Sequence, residues 1–94
     1  MLFVFFCTDK PDHAEVRATN RQAHLDYLGD FVDQVVLAGP TLGDNGASMT
    51  GSVLVLDFAT RAEADAFAAN DPYNKAGLFD SVVVRPFKKV LPES

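Results

Sequence analysis

Cysteine is almost missing from this chain. Cys7 stands alone, so no intrachain disulfide can form and no thiolate zinc knuckle can be assembled. A reducing cytoplasm is the expected compartment. Basic residues are also scarce, eight Lys and Arg against thirteen Asp and Glu, for a formal net charge of -5. Nucleic-acid affinity comes largely from cations that displace counterions along a phosphate backbone, so DNA and RNA are not expected partners. Long apolar runs are missing too. The opening MLFVFFC is too short to span a bilayer, lacks a basic leader and meets Thr8, Asp9, Lys10 and Pro11 at once. It is read as a strand, and no membrane association is expected. No internal repeat or low-complexity tract occurs, and 94 residues suit one domain, here 1–94, with one core.

Several chemical signatures are likewise absent. The GDNG-containing segment from Thr41 to Thr50 has neither the Lys-Ser/Thr pair of a phosphate loop nor the glycine spacing of a dinucleotide site, and it is read as a connecting loop. Ser52 follows Gly51 without a G-x-S-x-G context, which argues against a covalent serine mechanism but leaves its hydroxyl available to a ligand. His13 and His24 are separated by eleven positions and have no carboxylate at a recognised ligand spacing, so neither a metal nor another cofactor is expected. Cys7 reads as a small buried hydrophobe.

What is present is a clear alternation of periods. Leu2 to Cys7 is apolar at every position, the pattern of a strand buried on both faces. From Pro11 to Phe31, Ala14, Ala18, Arg21, Leu25, Leu28 and Val32 recur at spacings of four and three, which predicts an amphipathic helix with that stripe inward. Arg21 falls within the stripe and His24 at its margin. Gln34 to Gly39 reads as a second strand ended by Gly39-Pro40, and Ser52 to Phe58 as a third. Thr60 and Glu63 make a capping box before a second helix that buries Ala64, Phe67 and Ala68. Asp80 to Phe87, with Val82, Val83 and Val84, completes the set, and Pro86 places that strand's end at an edge or bulge.

Strand, helix, strand, strand, helix, strand is the α+β, ferredoxin-like βαββαβ arrangement: a four-stranded antiparallel sheet with both helices on one face. Apolar residues on both faces of the strands then leave one side of the sheet bare. The expected closure is a homodimer packed sheet to sheet, a dimeric α/β barrel.

The segment Asn70 to Phe79, NDPYNKAGLF, organises the chemistry. Asp71 before Pro72 reads as an N-cap and first-turn pair, and Gly77 closes the turn. A carboxylate on so rigid a mount is expected to meet His24. The pair can act as a general acid–base centre, because the anion orients the ring and favours the imidazolium formed on proton uptake. Either member can be the base at this stage. Arg21, one turn before His24, is placed to hold an anionic substrate oxygen. Tyr73 and Ser52 are further substrate-binding candidates, Tyr73 as a phenol in the cleft or as a packing lid. Two competing readings stand beside the enzyme: a non-catalytic ligand-binding or interaction module, and an Asp71 that serves only as a cap.

Asp9-Lys10, Arg21 with His24-Leu25, Ala38-Gly39-Pro40, Thr50-Gly51-Ser52, Asp71-Pro72-Tyr73, Ala76-Gly77 and the closing Val84, Pro86-Phe87-Lys88-Lys89-Val90 together resemble the YciI-like family of the dimeric α/β-barrel superfamily. The resemblance spans nearly the whole chain. It implies a ferredoxin-like subunit, a homodimer and a cleft holding a His and Asp pair at His24 and Asp71. Its nearest chemical precedent is removal of chloride from chlorinated hydroxyquinol-type aromatics, which points to a lyase or hydrolase acting without a cofactor on a small hydroxylated aromatic or carbonyl compound.

Overall fold

The apolar opening forms β1 (Leu2–Asp9), which lies inside a four-stranded antiparallel sheet of order β2-β3-β1-β4. The elements follow as α1 (Ala14–Gly29), a 3-10 turn (Val32–Gln34), β2 (Val35–Leu42), β3 (Met49–Asp57), α2 (Arg61–Asn70), α3 (Pro72–Lys75) and β4 (Phe79–Phe87). The structure is a computed structural model and describes residues 1–93. It has the expected ferredoxin-like order, with α3 as the helical turn begun by Asp71-Pro72.

Register explains how the two faces differ. Phe3, Phe5 and Cys7 of β1 stand opposite Leu56, Leu54 and Ser52 of β3, and this side carries the helices. Ala64, Phe67, Tyr73 and Leu78 close the core over it. Burying such side chains stabilises the fold by roughly 1.5–3 kcal/mol each. The Tyr27 phenol donates 2.9 Å to the Phe67 carbonyl, tying α1 to α2, while Thr60 Oγ1 accepts the Glu63 amide at 3.2 Å and caps α2. On the opposite side Phe6 is 50% and Leu37 51% exposed, with Val83 and Phe87 nearby.

Two expectations are corrected. The inward face of α1 is not the stripe of Ala14, Ala18, Arg21, Leu25, Leu28 and Val32. All of these except Leu28 are exposed, and the residues turned inward are Val16, Arg17, Asn20, His24, Tyr27 and Leu28. The two stripes differ by a fraction of a turn. The second wins because Arg17, His24 and the Tyr27 hydroxyl find partners on other elements and the Tyr27 ring packs on Phe67 of α2. The other correction concerns β2, which runs through Gly39-Pro40 to Leu42 instead of ending there. Proline is tolerated because β2 is an edge strand, where a missing N–H breaks no central ladder. The connecting loop is correspondingly shorter, residues 43–48.

Candidate active site

Asp71 arrives at the site on a turn that its own side chain holds. Its backbone is extended, as expected before proline, and its Oδ1 accepts the Tyr73 amide at 2.9 Å. Gly77, at φ 76°, closes the turn, and the Leu78 amide returns to the Tyr73 carbonyl at 3.1 Å. His24 comes from the third turn of α1. It is 7% exposed, Asp71 is 3% exposed, and Nδ1 lies 2.9 Å from Asp71 Oδ1. A carboxylate can only accept here, so Nδ1 carries the proton, and in the neutral ring Nε2 holds the free lone pair.

Tyr73 stacks on the imidazole, with ring centroids 4.0 Å apart and planes 16° from parallel. Its ring also lies 4.7 Å from the Arg17 guanidinium carbon, within cation–π range. Burial raises the phenol's pKa, Arg17 and Arg21 pull it down, and Asp71 adds to the rise; the net direction is up, so the phenol stays protonated near neutral pH. Tyr73 is thus wedged into the site rather than covering it.

Arg17 and Asp9 were not anticipated. Arg17 Nε and Nη2 donate to the two Asp9 oxygens at 2.7 and 2.9 Å, and Nη2 also donates to Ser52 Oγ at 3.0 Å. Burial works against the guanidinium's charge, but the Asp9 bonds and field, joined by Tyr73, outweigh it and raise the Arg17 pKa. Spacing held the signal: Arg17 is two helical turns before His24, on the same face. Ser52 reaches Arg17 because β3 runs close to β1 at Gly51, where a Cβ would collide with the Cys7 carbonyl.

A cavity of about 250 Å³ opens beside this cluster. Its polar lining is Arg17, Arg21, His24, Ser52 and Tyr73, and its apolar lining includes Leu28, Pro40 and Leu54. Asp71 does not line it and stands behind His24. Arg21 is exposed at the cavity and takes part in none of the ion pairs among the described residues. The structure therefore brings His24, Asp71, Ser52 and Tyr73 together as a buried cluster, with Arg21 at its margin rather than inside an apolar stripe. Among the described residues, no group of three or more His, Cys, Asp or Glu is placed to hold a metal ion, and no helix is long and apolar enough to cross a membrane.

The chain matches the YCII-related domain over residues 1–88. It is 40% identical to Protein YciI of Escherichia coli O6:H1, covering 96% of this chain and 99% of that protein. An uncharacterized protein of Haemophilus influenzae is 36% identical over the same shares. Among solved structures, the 5-chloro-2-hydroxyhydroquinone dehydrochlorinase TftG from Burkholderia phenoliruptrix AC1100, in complex with 2,5-dihydroxybenzoquinone, superposes with a TM-score of 0.87 at 38% identity, covering 94% of each chain. Whole-chain similarity of this kind, together with the ferredoxin-like fold, places the protein in the YCII-related family.

Proposed function

We propose that the chain is a small cofactor-independent enzyme of lyase or hydrolase type, in which His24 is the general base toward a small hydroxylated aromatic or carbonyl compound. The observation that carries this reading is the His24–Asp71 contact of 2.9 Å at the back of a cavity that His24 lines. With Nδ1 committed to the carboxylate, Nε2 is the nitrogen left for a substrate proton, and Asp71 orients the ring and stabilises the imidazolium. This favours His24 over Asp71 as the base. The similarity to TftG suggests the reaction class. A hydroxyl or α-carbon proton passes to Nε2, the released electron pair moves into the substrate, and a leaving group departs with its bonding pair. The net change is loss of H–X, with no oxidant consumed.

The working assembly is a homodimer closed through the bare side of the sheet, in a reducing cytoplasm. Phe6, Leu37, Val83 and Phe87 form an apolar surface of the kind that monomers rarely leave in water. A second copy presents the same surface, as an isologous contact requires.

The test is release of chloride from 5-chloro-2-hydroxyhydroquinone, followed with a chloride electrode. Wild-type protein is expected to accelerate release, and His24→Asn to lower turnover about 10²–10⁴-fold while folding normally. Equal rates with the two proteins, against a background without protein, would refute His24 as the base. Tight binding of the compound without turnover would favour a binding module.

A further inference from the structure

A second cavity, of about 320 Å³, opens between α2 and the end of α1, and it shares no lining residue with the His24 cavity. Glu63, Ala66, Phe67 and Asn70 follow the three- and four-residue spacing of one stripe along α2 and form one wall. Tyr27 and Phe31 of α1 and Phe58, just after β3, bring further rings, packed on Phe67 at centroid distances of 5.3, 4.9 and 5.4 Å. The space stays open because Ala66 places only a methyl group on that stripe.

The polar groups at this cavity are of one kind. Gln34 Nε2 donates to the Asp57 carbonyl at 2.8 Å, and Asn70 Nδ2 donates to the Ala66 carbonyl at 2.8 Å. Both amides are thus anchored through nitrogen, and their carbonyl oxygens accept no hydrogen bond from the described residues. The Tyr27 hydroxyl hydrogen goes to the Phe67 carbonyl. Glu63 meets Thr60 Oγ1 through its amide, while its carboxylate joins no ion pair among the described residues. No Lys or Arg is among the described residues that line the cavity. Burial first, then the fields of Asp71 and Asp30, raise the Tyr27 phenol's pKa, so negative potential reaches the α1 wall as well.

We infer that this cavity binds a small organic cation, a primary ammonium carried on a short aryl or alkyl chain. The inference stands apart from the acid–base reading above. An ammonium has three hydrogens to donate and no acceptor, which matches one carboxylate and two amide oxygens. Its apolar body goes onto the aromatic rings, whose faces also favour a cation. A carboxylate or phosphate would meet Glu63 with no cation in the lining to offset it. The net charge of -5 draws cations toward the protein in any case. Size agrees, since about 320 Å³ takes one ring on a short tether.

The probe is phenethylamine, titrated into isotope-labelled protein and followed by amide NMR, with phenethyl alcohol as its neutral match and phenylacetate as its anionic one. Phenethylamine is expected to shift the amides of Glu63, Ala66, Phe67 and Asn70 together. It should bind about fivefold more tightly than phenethyl alcohol, the surplus coming from one exposed ion pair and a cation–π contact. Glu63→Gln keeps the shape and removes the charge, and is expected to weaken the amine about threefold while leaving the alcohol unchanged. Ala66→Leu puts a good helix former at an exposed position and fills the cavity, so it should abolish binding of both. The site is overturned by any of four results: no amide shift at millimolar amine, shifts that fall outside α2 and the end of α1, alcohol or phenylacetate that binds as tightly as the amine, or Glu63→Gln that binds the amine as wild type does. An amine response that persists in Ala66→Leu marks simple surface ion pairing and overturns it as well.

Discussion

His24 donates to the same Asp71 oxygen that accepts the Tyr73 amide, both at 2.9 Å, so one carboxylate atom caps α3 and orients the imidazole together. The cap and the contact with His24 therefore share one oxygen, and substitutions at Asp71 separate their contributions. Asp71→Asn retains an amide oxygen in the same place and is expected to cost no more than about 1–2 kcal/mol. Asp71→Ala strips the cap and leaves the buried Nδ1 hydrogen without an acceptor, for a loss of about 2–5 kcal/mol. Urea unfolding measures both, and equal losses would show that the shared oxygen contributes nothing.

Arg17 and Asp9 form a pair whose side chains are 7% and 10% exposed. Removing one partner strands a buried charge, so Arg17→Met or Asp9→Asn alone is expected to destabilise by about 3–5 kcal/mol. The double substitution should cost clearly less than the sum of the two. A double-mutant cycle by chemical denaturation gives the coupling directly, and strict additivity would contradict it.

Cys7 is expected to be unreactive while the chain is folded. Burial, joined by the fields of Asp71 and Asp9 and opposed by Arg17, pushes its thiol up to about 12. Iodoacetamide at pH about 8.5 should label it only in denaturant. The sign of the stability effect follows from the same displacement. Above about pH 8.5 the unfolded thiol loses its proton while the folded one keeps it, so stability falls with rising pH, by at most about 1.4 kcal/mol per unit, until about 12. Cys7→Ala should flatten that slope most clearly between about pH 8.5 and 9, before the Tyr27 and Tyr73 phenols, whose pKa values are raised only in the folded chain, begin to titrate in the unfolded one.

Phe6, half exposed at the middle of β1 on the side away from the helices, is the residue to change in testing the proposed dimer. Phe6→Lys puts a charge where a second copy would pack and should convert the protein to a monomer in sedimentation velocity at micromolar concentration, with its secondary structure retained. A wild-type chain that is already monomeric under those conditions would refute sheet-to-sheet pairing.

The order of the elements and the family resemblance were legible because they depend on local features. Apolar runs, the Thr60–Glu63 cap, the Asp71-Pro72 start and the Gly77 stop each act within a few residues of chain. Edge position was harder to read. Gly39-Pro40 punctuates most chains, and only the sheet order shows why β2 continues through it.

By itself, the chain's sequence determined which segments become strands and helices, and that a carboxylate would head the DPY turn, since hydrophobic period and capping are short-range effects. Tertiary structure decided which side of α1 faces inward. Neighbouring stripes on a helix are separated by only about 100° per residue and differ little in apolar content. The choice went to the stripe whose buried polar residues find partners on other elements: Arg17 with Asp9 and Ser52, 8 and 35 positions away, and His24 with Asp71, 47 positions away. A buried polar group is tolerated only when such a partner is in reach, and that is known only once the elements have packed.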